Sequence, residues 1–293
     1  LGLDVVLADG RLLTLGHRSV KGVTGLDLTS LVIGSEGILG VVVGATLKLR
    51  RLIPGEISTI AATFHDVRAA ASAASAVTAS GIQPSIMELM DAASLRAVHE
   101  LLELPAPLPG AAQLTLQTDG PTAATDAAAI VDVLDAAGAS VSVTTDRDEG
   151  ERLLRIRRSR HPARERRGTS WVEDVSVPRS RLAQMFDEIA RVERDYDLVI
   201  PTVAHAGDGN LHPNFIYPPT ADSEVPAVIW DAADEIFRAA LRLGGTLTGE
   251  HGIGVLKRRW LAEELGADQW QLQRDIARVF DPQGILNPGK VFG

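Results

Sequence analysis

The sequence predicts an α+β protein, an antiparallel sheet with helices packed on one face. Three observations carry that reading. Asp9-Gly10 separates "LDVVLA" from "RLLTL", the strongest short signal for a two-stranded hairpin. From Ile57 to Thr145, strand-like runs and Ala-rich helical runs follow one another as β-α-α-β-α-β, with loops of a few residues. "YDLVIPTVAH" and "LHPNFIY" flank a Gly-Asp-Gly-Asn turn and read as antiparallel partners.

Each element has a local reason. Asp27 can cap a short helix over Leu28 to Ile33, and Val41 to Leu49 is a strand. Pro54-Gly55 marks a boundary, so residues 1–52 and 53–293 are expected to be separate domains. Ile57–Phe64 is a strand, and the helix that starts at Asp66 stops at Gly81. "MELM" reads as a strand end or turn before a helix from Asp91. "AAQLTLQT" is a strand, "TAATDAAAIVDVLDAAG" a helix and "ASVSVTT" a strand. A long charged helix runs from Asp146 to about Arg167, "WVEDVSVP" is one strand, and 178–195 and 222–243 are helical. "GGTLTGEHGIG" is an irregular loop before two helices, about 254–264 and 267–280.

Composition narrows the function. The 293 residues suffice for two domains with real cores. A formal net charge of −9 argues against a general nucleic-acid binder. With no cysteine, disulfides, thiolate metal sites, iron–sulfur ligation and cysteine nucleophiles are excluded within this chain. No run of about 18 apolar residues appears, so no membrane span is expected. No signal peptide is visible, and an intracellular, cytoplasmic location fits. Leu1 begins inside a hairpin without an initiator methionine, so the chain is expected to be the tail of something longer.

"HAGDGNLHPN" holds the most chemistry. His205 and His212 are expected to oppose each other across the turn, with Cβ atoms about 4.5–5.5 Å apart. At that separation two imidazoles can share one cation at about 2.0–2.1 Å each, if it is zinc. Asn214, two residues on, shares their face. A hairpin with two surface histidines is the plain alternative. "TGEHGIG" adds Glu250 and His251 among glycines. In extended backbone these two point opposite ways, so one can ligate while the other reaches the far side of a substrate. Two imidazoles and one carboxylate would leave an open coordination position. A flexible glycine loop with surface side chains is the alternative here.

Together these stretches carry a resemblance. "VKGVTGLDL" and "LVIGSEGILGVVVGATLKL" resemble the end of the PCMH-type FAD-binding domain of vanillyl-alcohol-oxidase-type flavoproteins. "HAGDGNLHPN", "GGTLTGEHGIGVLKR" and "FDPQGILNPGKVF" resemble the C-terminal domain of FAD-linked 2-hydroxy-acid dehydrogenases, among them glycolate oxidase D subunits and D-lactate dehydrogenases. The resemblance implies a divalent metal (Zn, Mn or Fe) on His205, His212 and Glu250, and His251 as general base. It implies Arg157 on the substrate carboxylate, with Arg158 as its near neighbour, and Asn214 as a polar substrate contact. Flavin contacts fall on Gly34, Ser35, Glu36, Gly37, Gly40, Val42 and Asn287. Gly22, Leu26 and Leu154 depart from the family's usual residues. Val172-Glu173 replaces the lysine-tyrosine pair of hydroxyglutarate enzymes, which favours a glycolate or D-lactate type of substrate.

The implied reaction oxidises a D-2-hydroxy acid to the 2-oxo acid, with deprotonation at His251 and hydride transfer to FAD. An iron–sulfur or other electron-accepting subunit is the implied partner, and membrane association would be peripheral, through that partner. The family's pyrophosphate-binding loop precedes the matched region, so the chain is expected to be truncated, with little flavin affinity alone. Two other readings stay open: a non-catalytic fragment or docking module, and a metal-dependent hydrolase on the same His-His-Glu set.

Overall fold

The computed structural model describes residues 1–49, 51, 54–218 and 224–292. It divides into two units, Leu1–Leu52 with Glu250–Gly293, and Ile53–Gly249. The expected boundary at 52/53 falls on Leu52 and Ile53, outside the described residues. Residues 250–293 cluster by contacts with Leu1–Leu52 in this division.

In the first unit, β1 (Gly2–Val6) and β2 (Leu12–Gly16) form the expected hairpin, and α1 (Leu28–Val32) follows. The Asp27 carboxylate caps α1 by accepting from the Ser30 N–H at 3.0 Å. β3 (Val41–Thr46) adds to the other edge of β1, giving a three-stranded antiparallel sheet in the order β2-β1-β3. Val5, Leu7 and Val32 form its small core.

The second unit carries β4 (Glu56–Phe64), α2 (Val67–Ala79), β5 (Ile86–Met90), α3 (Ala92–Leu101) and β6 (Ala112–Gly120). α4 (Ala123–Ala136), β7 (Ser140–Thr144), α5 (Arg147–Arg158) and α6 (Arg160–Glu165) follow. Then come β8 (Thr169–Val172), β9 (Val175–Ser176), α7 (Leu182–Tyr196), β10 (Thr202–His205), β11 (Asn210–Tyr217) and α8 (Ala227–Arg242). In the first unit again, α9 (Arg258–Phe280) is two helical segments meeting at Gly266, whose φ is 72°. The strands form an eight-stranded sheet, β7-β4-β6-β5-β10-β11-β8, with β9 on β11.

Several elements differ from expectation for identifiable reasons. "IMELM" is a full interior strand, so the order over 56–144 is β-α-β-α-β-α-β. The charged helix breaks at Ser159, because Pro162 has no N–H to offer the carbonyl of Arg158 and is tolerated only in a helix's first turn. The helix expected from 222 starts at Ala227 after Pro226, and 222 and 223 lie outside the described residues. "WVEDVSVP" splits into β8 and β9. Its register against β11 would place Glu173 opposite Pro213 and Asp174 opposite His212. Glu173 N–H donates to the Pro213 carbonyl at 2.9 Å, but proline has no N–H for the reciprocal bond, and the ladder breaks there.

Helices cover both faces of this sheet, not one. Ile60, Leu89, Leu114 and Leu116 share an apolar face and are fully buried, and Thr118 on that face donates to Ala123 at the start of α4. On the other face Gly150 of α5 approaches Thr59, and Met90 and Val203 pack with Leu95, Val98 and Ala163 of α3 and α6. That second face holds Glu88, His205, His212 and Asn214 by register. β10 is tied to α3 through Asp91, whose carboxylate accepts from Ser94 N–H and Thr202 N–H, each at 2.7 Å. Burial pushes the Asp91 carboxyl above its usual range, and these N–H donors only partly counter it.

Candidate functional site

The paired histidines sit on the β10–β11 hairpin in a register two residues away from expectation. Ala206 to Gly209 form a four-residue turn, with Asp208 and Gly209 N–H groups donating to the His205 carbonyl. His205 therefore pairs with Asn210, and His212 with Val203. The two histidines are diagonal neighbours on one face instead of direct opposites. Their rings meet edge-on, with centroids 5.1 Å apart and planes at 83°. Gly209 makes this turn possible: its φ is +79°, and a Cβ there would lie 2.2 Å from the Val177 carbonyl oxygen. Gly209→Ala is expected to destabilise the protein by about 2–4 kcal/mol, combining left-handed strain with a backbone clash. Equal denaturation midpoints for variant and parent would refute this account of the turn.

His212 is buried, and His205 keeps a fifth of its side chain exposed. His205 Nδ1 contacts Glu88 Oε1 at 2.8 Å and Oε2 at 3.0 Å, directly across the β5–β10 pairing. Arg157 donates to the same Oε1 at 2.6 Å from the last turn of α5. Burial pushes the Glu88 carboxyl up, but the hydrogen bonds from His205 and Arg157 outweigh it and hold it below the usual range. Arg158 turns away to Glu151, so helix geometry separates the two neighbouring arginines. Glu88, Arg157, Arg179, His205 and Asp208 line a cleft of about 360 Å³.

Asn214 is buried and committed to the protein. Its Nδ2 donates to the carbonyls of Pro201 (2.8 Å) and His212 (2.7 Å), and its Oδ1 accepts from Arg164 at 3.2 Å. It braces the hairpin; the Arg164 contact was not legible in the sequence.

Asp174 is fully buried, and its Oδ2 accepts from Thr248 Oγ1 (2.5 Å) and Gly249 N–H (2.9 Å). Glu250 follows Gly249 by one peptide bond, so the anchored glycine fixes where Glu250 starts. His205 and His212 offer two imidazoles on one face of the second unit, and Glu250 opens the last segment of the first unit. Two imidazoles and a carboxylate suit Zn, Mn or Fe(II). Glu250 and His251 do not diverge as extended neighbours would: the chain bends, and His251 Nε2 lies 3.8 Å from Glu250 Oε1.

The glycine turn of the first unit is built on positive φ at Gly34 (79°), Glu36 (52°) and Gly37 (78°). Gly34 to Gly37, Gly40, Val42 and Asn287 line one open cleft of about 680 Å³. Glu36 differs from a simple flavin contact. Its carboxylate accepts from the N–H groups of Ile253 (2.8 Å) and Gly254 (2.7 Å), just beyond His251, and its carbonyl accepts from Asn287 Nδ2 at 2.5 Å. What the turn presents to the cleft is backbone, Ser35 and apolar surface, a lining compatible with a flat ring system.

Residues 53–291 match the family described as FAD linked oxidases, C-terminal domain. The chain belongs to that family. This FAD-linked oxidase domain is 38% identical to the glycolate oxidase subunit GlcD of Bacillus subtilis (strain 168), over all of this chain and 63% of the relative. It is 33% identical to the mitochondrial D-lactate dehydrogenase [cytochrome] of Arabidopsis thaliana, over 99% of this chain and 52% of the relative. The chain thus spans between about half and two thirds of the length of these relatives. Among solved structures, p-cresol methylhydroxylase shares the fold with a TM-score of 0.72 at 15% identity, over 99% of this chain and 64% of that one. Among the described residues, no helix is long and apolar enough to cross a membrane.

Proposed function

We propose that the protein oxidises a small D-2-hydroxy acid, of glycolate or D-lactate type, to the 2-oxo acid. The observation that carries this reading is the pair of imidazoles, His205 and His212, on one sheet face with Glu88 and the Arg157 guanidinium, in a member of the FAD-linked oxidase family. The names of the similar proteins, glycolate oxidase and D-lactate dehydrogenase, support the substrate class. His205, His212 and Glu250 would hold the divalent cation, which when bound supplies Lewis acidity to the substrate hydroxyl. Arg157 binds the substrate carboxylate through N–H groups other than the one given to Glu88, and fixes the orientation of the Cα hydrogen. His251 takes the hydroxyl proton at an imidazole nitrogen. Flavin, when bound along the 34–42 turn and Asn287, supplies the hydride acceptor. An electron-accepting partner subunit fits the word subunit in the GlcD name.

Dye reduction by the flavin-supplied protein tests the reading. Turnover with glycolate or D-lactate is expected to vanish on chelation and return with zinc or manganese. No turnover with either acid, with FAD and metal both added, would overturn it.

A further inference from the structure

We propose that Glu88 is a positioning residue that locks the metal-ligating tautomer of His205 and fixes the distance from that ligand to Arg157. The inference rests on the function proposed above and adds a residue to it. Glu88 is the lone acid in the apolar strand "IMELM", and only 12% of its side chain is exposed. A buried carboxylate is costly unless its oxygens are hydrogen-bonded and its charge is met. Here one oxygen, Oε1, serves two donors: His205 Nδ1 at 2.8 Å and Arg157 at 2.6 Å.

A carboxylate only accepts, so a neutral imidazole facing it must carry its proton on Nδ1. Nε2 is then the atom that carries the ligating lone pair. Each ring of a ligating histidine has two nitrogens, and the partner of one decides the chemistry of the other. Arg157 places its guanidinium against the same oxygen that faces the His205 ring. Its other N–H groups remain directed by the same contact, because a planar guanidinium fixed at one nitrogen has little freedom at the rest. Glu88 also sits on a strand, between β6 and β10, where its backbone cannot shift without disturbing two ladders. Metal ligand and substrate grip are therefore spaced by a single carboxylate.

The test is calorimetric titration of zinc into the full chain, with nitrogen-15 spectroscopy of the His205 ring. Zinc affinity is expected to fall about 10–100-fold in Glu88→Ala, the range for outer partners of ligating histidines. Glu88→Gln, which keeps an acceptor for the imidazole N–H, is expected to recover most of it while raising KM for the hydroxy acid. The unmodified protein should show a proton on His205 Nδ1 with zinc bound, a readout that needs no variant to fold. Unchanged zinc affinity in Glu88→Ala, or a proton on Nε2, would overturn the role of Glu88 and leave the metal site standing. Absence of zinc binding by the unmodified chain would overturn both.

Discussion

Replacing His251 with alanine is expected to lower kcat for glycolate or D-lactate by about 10²–10⁴-fold, the usual worth of a positioned general base. The effect should fall on kcat and kcat/KM together, as it does when an interaction made mainly in the transition state is lost. Zinc affinity should be unaffected, since His251 lies outside the ligand set proposed above. The fold should be unaffected too: 44% of the His251 side chain is exposed, and surface substitutions usually cost within about 0.5 kcal/mol. A loss of less than tenfold would move the base to another group. Glu36→Ala is the natural companion, because it releases the Ile253 and Gly254 N–H groups that hold the backbone beyond His251.

Glu250→Gln should fail in a different way. Glu250 is the most exposed of the three proposed ligands, so its exchange is structurally mild. The amide keeps the shape and loses the charge that a hard or borderline cation prefers. Zinc affinity is expected to fall more than 100-fold, beyond the effect of removing an outer partner. Turnover should collapse at ordinary metal concentrations and recover when metal is raised, by mass action. Excess metal should restore nothing in His251→Ala. Tight zinc binding in Glu250→Gln would remove Glu250 from the ligand set.

The elements were legible wherever local chemistry decides them. Asp9-Gly10, the Asp27, Asp66 and Asp91 caps, and the Gly266 break all state their roles within a few residues. The candidate site could be nominated from the sequence as a set of residues but not as an arrangement. The register of His205 and His212 depends on a four-residue turn that "AGDG" does not specify uniquely. Glu88 and Asp174 went unread because each acts on a residue far along the chain, across a pairing that no short window contains. Arg157 was one of eight arginines between Arg152 and Arg167. Gly150, Leu154 and Arg157 fall at i, i+4 and i+7, though, and that helical spacing would have separated Arg157 from Arg158 by face.

Pro213 has a wider consequence. An alanine there would regain the N–H that faces Glu173, and the stretch from Thr169 to Ser176 could knit into one straight ribbon. The sheet would be more regular, yet the carboxylate at 174 would stand on the sheet face that holds His212 and no longer reach the turn at 248–249. The break in the ladder thus frees one strand residue to anchor a distant loop, at the cost of two backbone pairings.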